Sequence, residues 1–227
     1  MKILALDTAT KTGSAALLHG DRLVGEYVLN IELTHSERLL PAMVQLIKDA
    51  RWEKDEIEGI VVTLGPGSFT GLRIGITTGK TLAYLWDVPL VGVGTLDVLA
   101  FQGHPFDGLI CPILDARRNE VYTCLYRDLE PLGKPTAIGP EKLLAKLAGE
   151  RVLFLGDGVD TYRELLADQL VAPPDRRLLR ASSLAVLGRE KLARGEREDP
   201  MTLVPTYLRR SEAEITWERK HGERLSD

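Results

Sequence analysis

The 227 residues are 44% hydrophobic, enough for one large core or a pair of lobes. A formal charge of −4 at pH 7 argues against a surface devoted to nucleic acid, and Arg176, Arg177, Arg180, Arg189, Arg194 and Arg197 are better read as a solvated face balanced by Glu190, Glu196 and Glu198. Cys111 and Cys124 lack CxxC spacing, which excludes a disulfide framework and a thiolate metal site, and no apolar run has the length to cross a bilayer.

Residues 2–7 read as a buried strand whose terminal Asp7 arrives too early for a secretory leader, so a cytoplasmic protein without membrane partners is expected. A turn through Thr8, Thr10 and Gly13 leads to a second strand at 14–18, and Asp21-Arg22 opens a third at 23–31, an antiparallel trio. Thr34 and Glu37 have capping-box spacing, and Leu39, Leu40, Met43, Val44 and Ile47 make one apolar stripe. This predicts a helix over 36–51, kinked or trimmed by Pro41. The strand at 60–64 then turns through Gly65-Pro66-Gly67-Ser68 into a helix over 68–86. Within it Gly71, Gly75, Gly79 and Ala83 recur every fourth residue along one face. Each interior glycine costs about 1 kcal/mol relative to alanine, and the physical use of missing side chains on one face is the close approach of another backbone. A helix of a partner or the first helix of this chain would serve. A strand at 90–93 and a helix from Thr95, with Asp97 in its first turn, complete a βββαβαβα unit over 1–103.

The second half begins the same way. A strand at 109–114 ends in Asp115, the counterpart of Asp7, and the loop Ala116-Arg117-Arg118-Asn119 leads to a strand at 120–127. Across that four-residue loop Asp115 is expected to face Glu120, and Cys111 to face Cys124. Helices over 140–148, 160–168 and 182–195, a strand at 152–155, a turn at Gly156-Asp157-Gly158 and a last strand or extended link at 203–208 follow. The partial repeat predicts a duplicated α/β fold with lobes 1–103 and 104–208, not a doubly wound sheet; a charged tail, 209–227, is expected to pack on the first lobe.

Most candidate chemistry fails on spacing. Gly75-Ile76-Thr77-Thr78-Gly79-Lys80-Thr81 has three residues between its glycines where a phosphate loop needs four. Gly65-Pro66-Gly67-Ser68-Phe69-Thr70-Gly71 is one residue too long for a dinucleotide fingerprint. His19, His35, His104 and His221 are scattered without metal-site spacing, and Ser68 has no nucleophile elbow around it. The surviving candidate is a pair of hairpins. Asp7 with Thr8 and Thr10 would face Asp115 with Arg117 and Arg118 across a cleft, where carboxylates hold hydrated Mg²⁺ and the loops meet phosphates. The second loop has no glycine, and its arginines either take phosphate through their side chains or pair with Glu120, so a degenerate nucleotide site is the balance.

LDTAT at 6–10, THSERLLPAM at 34–43, GPGSFTGLRIGITTGKTLA at 65–83, DARRNEVY at 115–122 and PTYLRRSEA at 205–213 together resemble the bacterial TsaB (YeaZ) family. The resemblance implies the actin/Hsp70/sugar-kinase-like (ribonuclease H-like) fold, with two lobes each carrying a mixed sheet flanked by helices. It implies a shortened, non-catalytic relative of TsaD, which transfers threonylcarbamoyl from threonylcarbamoyl-AMP to adenosine 37 of tRNAs reading ANN codons. Where that relative carries a histidine pair for its metal, this chain reads GVGTLDVL at 92–99, so a catalytically silent subunit without metal or cofactor is expected. The resemblance further implies that the helices over 36–51 and 68–86 pack on the equivalent pair of TsaD, with Leu39, Leu40, Met43, Ile47, Phe69, Gly71, Leu72, Gly75, Ile76, Gly79 and Ala83 as the contact set. An ATPase, TsaE, would join the assembly, tRNA would be met through the complex, and a homodimer through the same helices stays open. Gly75→Leu is expected to leave the monomer folded while pairing falls. The rivals are a small ATP-dependent kinase or ATPase using Asp7, Thr8, Thr10 and Asp115, and a glycoprotease.

Overall fold

The computed structural model describes residues 1–30 and 35–209, without the side chains of 35–38. The proposed Thr34–Glu37 cap, the end of the third strand at Ile31 and the tail from 210 onward lie outside these residues. The first sheet contains β1 (Lys2–Asp7), β2 (Gly13–His19) and β3 (Arg22–Leu29), followed by α1 (His35–Asp49), β4 (Gly59–Gly65), α2 (Phe69–Trp86), β5 (Leu90–Gly94) and α3 (Thr95–Gly103). Its strand order is β3-β2-β1-β4-β5, antiparallel through β1 and parallel beyond it.

Both faces of β1 are covered, which is why it reads as an unbroken apolar run. Leu4 and Leu6 pack with Leu39, Met43, Leu72 and Ile76 of α1 and α2, whereas Ile3 and Ala5 face the opposite way, toward α3 and a helix from the end of the chain. Helix α1 continues through Pro41, so the proline does not trim its first turn. It stops at Asp49, short of the expected Arg51, because Arg51 takes φ 54 and the Trp52 amide donates back to the Ile47 carbonyl at 3.1 Å. Helix α2 begins where expected: Ser68 caps it by accepting from the Gly71 amide at 3.2 Å, and left-handed Asp87 closes it.

The second lobe contains β6 (Leu109–Asp115), β7 (Val121–Thr123), β8 (Tyr126–Arg127), β9 (Glu130–Pro131), β10 (Thr136–Ile138), α4 (Pro140–Lys146), β11 (Val152–Leu155), α5 (Gly158–Thr161), α6 (Pro174–Arg177) and α7 (Ala181–Ala193). The path β10-β7-β6-β11 repeats β3-β2-β1-β4: a central strand ending in aspartate, two antiparallel neighbours on one side and a parallel one on the other. This is the duplicated actin/Hsp70/sugar-kinase-like fold, two mixed sheets flanked by helices. Helices α3 and α7 fill the space between the sheets, where Ile3 and Ala5 of the first share a core with Ile110 and Leu114 of the second.

Helix α7 comes from the second half of the chain but lies on the first sheet. Gly188 admits Val61, and a Cβ on Gly59 would stand 2.7 Å from Leu192. A clamp holds its N-terminus: the Glu26 carboxylate of β3, whose side chain is 5% exposed, accepts from Arg180 Nε, from the Ser182 amide and from the Ser182 hydroxyl, each at 2.9 Å. Arg177 likewise pairs with Asp160, Arg189 Nη1 donates to the Gly20 carbonyl, and Arg194 pairs with a predicted partner, Glu196. Of the six arginines expected on a solvated face, Arg177, Arg180 and Arg189 instead tie elements together, while Arg176, Arg194 and Arg197 are exposed.

Three expectations are corrected. Asp115 pairs with Val121, not Glu120, because residues 116–120 form a five-residue loop in which Arg117, Arg118 and Asn119 all take positive φ. That one-residue shift moves the cysteines to opposite faces. Cys111 lies with Val121 and Phe154, its sulfur 3.3 Å from the Thr123 hydroxyl, while Cys124 joins the core between the sheets. The helix expected over 160–168 is only the single turn of α5, followed by turns, while of the two readings of 203–208 the link is the one found. Among the described residues no helix is long and apolar enough to cross a membrane.

Candidate functional site: the hairpin cleft and the α1–α2 face

The repeat sets Asp157 close to both strand-end aspartates: its charge acts on Asp7 and its carboxylate accepts from the Asp115 amide. Asp7 is fully buried. Its Oδ1 accepts from the Thr63 hydroxyl at 2.7 Å and from the Ala9 amide at 3.0 Å, while Oδ2 has no hydrogen-bond partner. Burial pushes its carboxyl up to about 7 against the pull of these hydrogen bonds, and the charge of Asp157 acts in the same direction. Asp157 Oδ1 accepts from the Asp115 amide at 3.0 Å; burial raises this carboxyl to about 6, with the Asp115 charge adding to the effect. Asp157 read only as part of a turn in the sequence. The signal that could have found it is the match of Leu155-Gly156-Asp157-Gly158 to Leu64-Gly65-Pro66-Gly67, which puts Asp157 at the position of Pro66.

The threonine hydroxyls of the first hairpin and one oxygen of Asp115 are engaged internally. The Thr8 hydroxyl donates to the Gly71 carbonyl at 2.7 Å, the Thr12 amide donates to the Thr10 hydroxyl at 3.2 Å, and Asp115 Oδ1 accepts from the Arg117 amide at 2.8 Å. Glu120 forms an ion pair with Arg209, an arrangement the sequence did not suggest. Among the described residues no three His, Cys, Asp or Glu side chains converge in a way that would hold a metal ion.

The raised Asp7 carboxyl has a sign that can be measured. An unfolded chain releases this proton near pH 4, whereas the fold keeps it to about pH 7, so the folded state binds more protons in that window and loses stability as pH rises through it. The loss is on the order of 2–4 kcal/mol, and Asp7→Asn, which keeps an oxygen for Thr63 and Ala9, should remove most of it. Urea midpoints at pH 5 and pH 8 should therefore fall more for the parent than for Asp7→Asn. Parallel behaviour of the two would contradict a buried proton at this position.

The glycine stripe of α2 faces the first hairpin and the sheet, not another helix. A Cβ at Gly71 would fall on the Thr8 carbonyl oxygen, one at Gly75 would stand 2.5 Å from the Thr8 hydroxyl, and one at Gly79 would meet Val62. The neighbour admitted by the missing side chains is the chain's own hairpin and β4. Accordingly Leu39, Met43, Gly71, Leu72, Gly75, Ile76, Gly79 and Ala83, all expected in a contact set, are buried within the first lobe. Leu40 is exposed, and Ile47 and Phe69 are partly so.

What α1 and α2 leave open is their other side. Leu40, Val44, Tyr84 and Leu85 are 46%, 58%, 70% and 67% exposed. Beside Leu40 runs a groove of about 470 Å³ lined by Phe69, Thr70, Arg73, Ile74, Thr77 and Thr78 as well as by Leu39. Thr70, Thr77 and Thr81 are exposed and spaced so that α2 carries a second stripe of small residues opposite the glycines. Sequence reading took the more conspicuous glycine stripe and passed over this one.

The stretch at 92–99 is packed. Thr95, Leu96, Val98 and Leu99 are at most 1% exposed, and Asp97 accepts from the Tyr126 hydroxyl at 2.6 Å.

A family model described as TsaD, tRNA N6-adenosine threonylcarbamoyltransferase, matches residues 29–217. The tRNA threonylcarbamoyladenosine biosynthesis protein TsaB of Bacillus subtilis is 40% identical, with 96% of this chain and 98% of that protein aligned. The protein of the same name from Escherichia coli K12 is 28% identical over 98% of this chain and 99% of its own length. The crystal structure of YeaZ from Pseudomonas aeruginosa superposes with a TM-score of 0.77 at 30% identity, covering 91% of this chain and 99% of that one.

Proposed function

The chain belongs to the TsaB (YeaZ) family, and from that membership we propose that it serves tRNA threonylcarbamoyladenosine biosynthesis as a non-catalytic subunit, docking the catalytic TsaD through the outer side of α1 and α2. The observation that carries this reading is the exposure of Leu40 and Val44 on α1 and of Tyr84 and Leu85 on α2, with Leu40 lining the groove of α2. Large apolar side chains exposed on a helix pair, with polar side chains among them, are characteristic of a protein interface. Because the TsaD family model aligns with most of this chain, TsaD is the natural occupant: a related fold offers a related helix pair, and two such pairs pack as a pseudo-symmetric bundle. Threonines on the contact stripe allow the helices to approach closely. TsaE and tRNA are met through that assembly, and without TsaD the same face pairs two copies of the chain.

Non-catalytic status is supported by the core packing at 92–99, where apolar side chains occupy the stretch at which the catalytic relative places its metal ligands. Mixing the purified chain with TsaD should give an equimolar complex on size-exclusion chromatography with light scattering, and threonylcarbamoyl transfer should need TsaD. Transfer by the chain alone, or no complex at micromolar concentration, would sink this reading. The kinase or ATPase alternative is disfavoured because the Thr8 and Thr10 hydroxyls of the first hairpin are engaged within the chain. Tight Mg-ATP binding by the isolated chain, lost in Asp7→Asn, would restore it.

A further inference from the structure

The link after α7 makes contacts with both lobes. Its carbonyl at Leu203 accepts from Lys80 Nζ of α2 at 2.9 Å, and its Thr206 amide donates to the Leu64 carbonyl at the end of β4 at 2.7 Å. Gly65 makes this course possible: at φ +117 it has no Cβ to stand 2.5 Å from the Thr206 carbonyl oxygen. The Tyr207 ring then stacks on Phe69 with centroids 4.8 Å apart, and its hydroxyl accepts from Arg73 Nε at 3.1 Å. The Arg73 guanidinium lies 3.9 Å from the Phe69 ring centroid. Two residues later the link reaches the other lobe, where Arg209 donates to the Ala116 carbonyl at 3.4 Å and pairs with Glu120. One short segment thus touches the second hairpin through Arg209 and, through Tyr207, two of the side chains that line the α1–α2 groove.

We propose that residues 203–209 are a strap that couples the hairpin loop of the second lobe to the docking groove, with Tyr207 as a positioning residue for Phe69 and Arg73. The inference rests on the docking reading given above. The groove's rim is built from long side chains on the first turns of α2, and a phenylalanine and an arginine with open rotamers cost ordering entropy when a partner closes over them. Seated under Tyr207, both are already ordered. Releasing the Arg209 end loosens Tyr207 and leaves that cost to the binding step, so a change at the 116–120 loop is felt on α2.

The test compares Tyr207→Ala, Tyr207→Phe and Glu120→Gln with the parent, by calorimetric titration with TsaD and by hydrogen exchange of residues 69–74 in the free chain. Tyr207 is 38% exposed, so the variants should fold, which circular dichroism checks. Tyr207→Ala should weaken TsaD binding by about tenfold and speed exchange at 69–74, and Tyr207→Phe, which keeps the stack, should stay within about threefold. Glu120→Gln should move both readouts in the same direction as Tyr207→Ala. Parent-like exchange in Tyr207→Ala, or weaker binding in Tyr207→Ala with Glu120→Gln unchanged in both readouts, would overturn the strap, the latter by making Tyr207 a direct contact. If the parent itself fails to bind TsaD the docking reading falls, while the exchange comparison still decides whether the strap orders the rim.

Discussion

Gly75→Leu is expected to destroy the native packing of the first lobe, not to yield a folded monomer that has lost a partner. A Cβ at this position already stands 2.5 Å from the Thr8 hydroxyl, and leucine places three further carbons beyond it. Thr8 cannot turn away without cost, since its hydroxyl donates to the Gly71 carbonyl and the turn it begins supplies the Ala9 amide to Asp7. Two magnitudes compete. Replacing a helical glycine gains about 1 kcal/mol in propensity, while overpacking a tight core typically costs 1–3 kcal/mol and more where backbone must move. At Gly71 the obstacle is the Thr8 carbonyl itself, so even Gly71→Ala should come out about 2 kcal/mol or more destabilised. Gly133, with open space around it, supplies the control: Gly133→Ala should stay within about 0.5 kcal/mol. Urea unfolding followed by tryptophan fluorescence measures all three. A Gly75→Leu chain with a parent-like midpoint would mean that the hairpin does not sit against α2.

That result bears on what a sequence can disclose. The first lobe's βββαβαβα order was legible because its strands are continuous apolar runs and its helices carry clear stripes and caps. The glycine stripe was equally legible, but a missing side chain records only that something comes close, and the chain's own hairpin lies nearer than any partner. The second hairpin was misread by one residue because Arg117, Arg118 and Asn119 all adopt left-handed conformations that a non-glycine loop gives no reason to expect. Asp157 hid inside a glycine turn, and its role emerges only when β11 is set beside β6. Helix α7 carries no mark of the lobe it covers; Gly188 over Val61 and the Glu26 clamp are contacts between segments far apart in the chain. The strap was visible as an extended link, but its contacts with Leu64, Phe69 and Glu120 join three separate regions and have no local signature.

The α1–α2 face should tolerate charge in the monomer and reject it in the complex. Leu40 is 46% exposed and Thr77 is exposed, so Leu40→Asp and Thr77→Arg should each fold with stability within about 1 kcal/mol of the parent. In a bundle with TsaD the same positions lose their water, and an introduced charge without a partner is strongly disfavoured. A cost of about 3–4 kcal/mol, usual for the centre of an interface, corresponds to binding weakened by at least about 100-fold. Leu132→Asp, on an equally exposed leucine of the second lobe, should leave TsaD binding unchanged. Threonylcarbamoyl transfer by the mixed proteins should fall in step with binding and recover as TsaD is raised, because the substitutions remove association and touch no reacting group. If Leu40→Asp and Thr77→Arg bind TsaD as the parent does, this face is not the docking surface. Recovery also separates the two readings of the chain: a subunit that acts by docking is restored by mass action, whereas a chain contributing its own chemistry through Asp7 and Asp115 would show full intrinsic activity in both variants whether or not TsaD is bound.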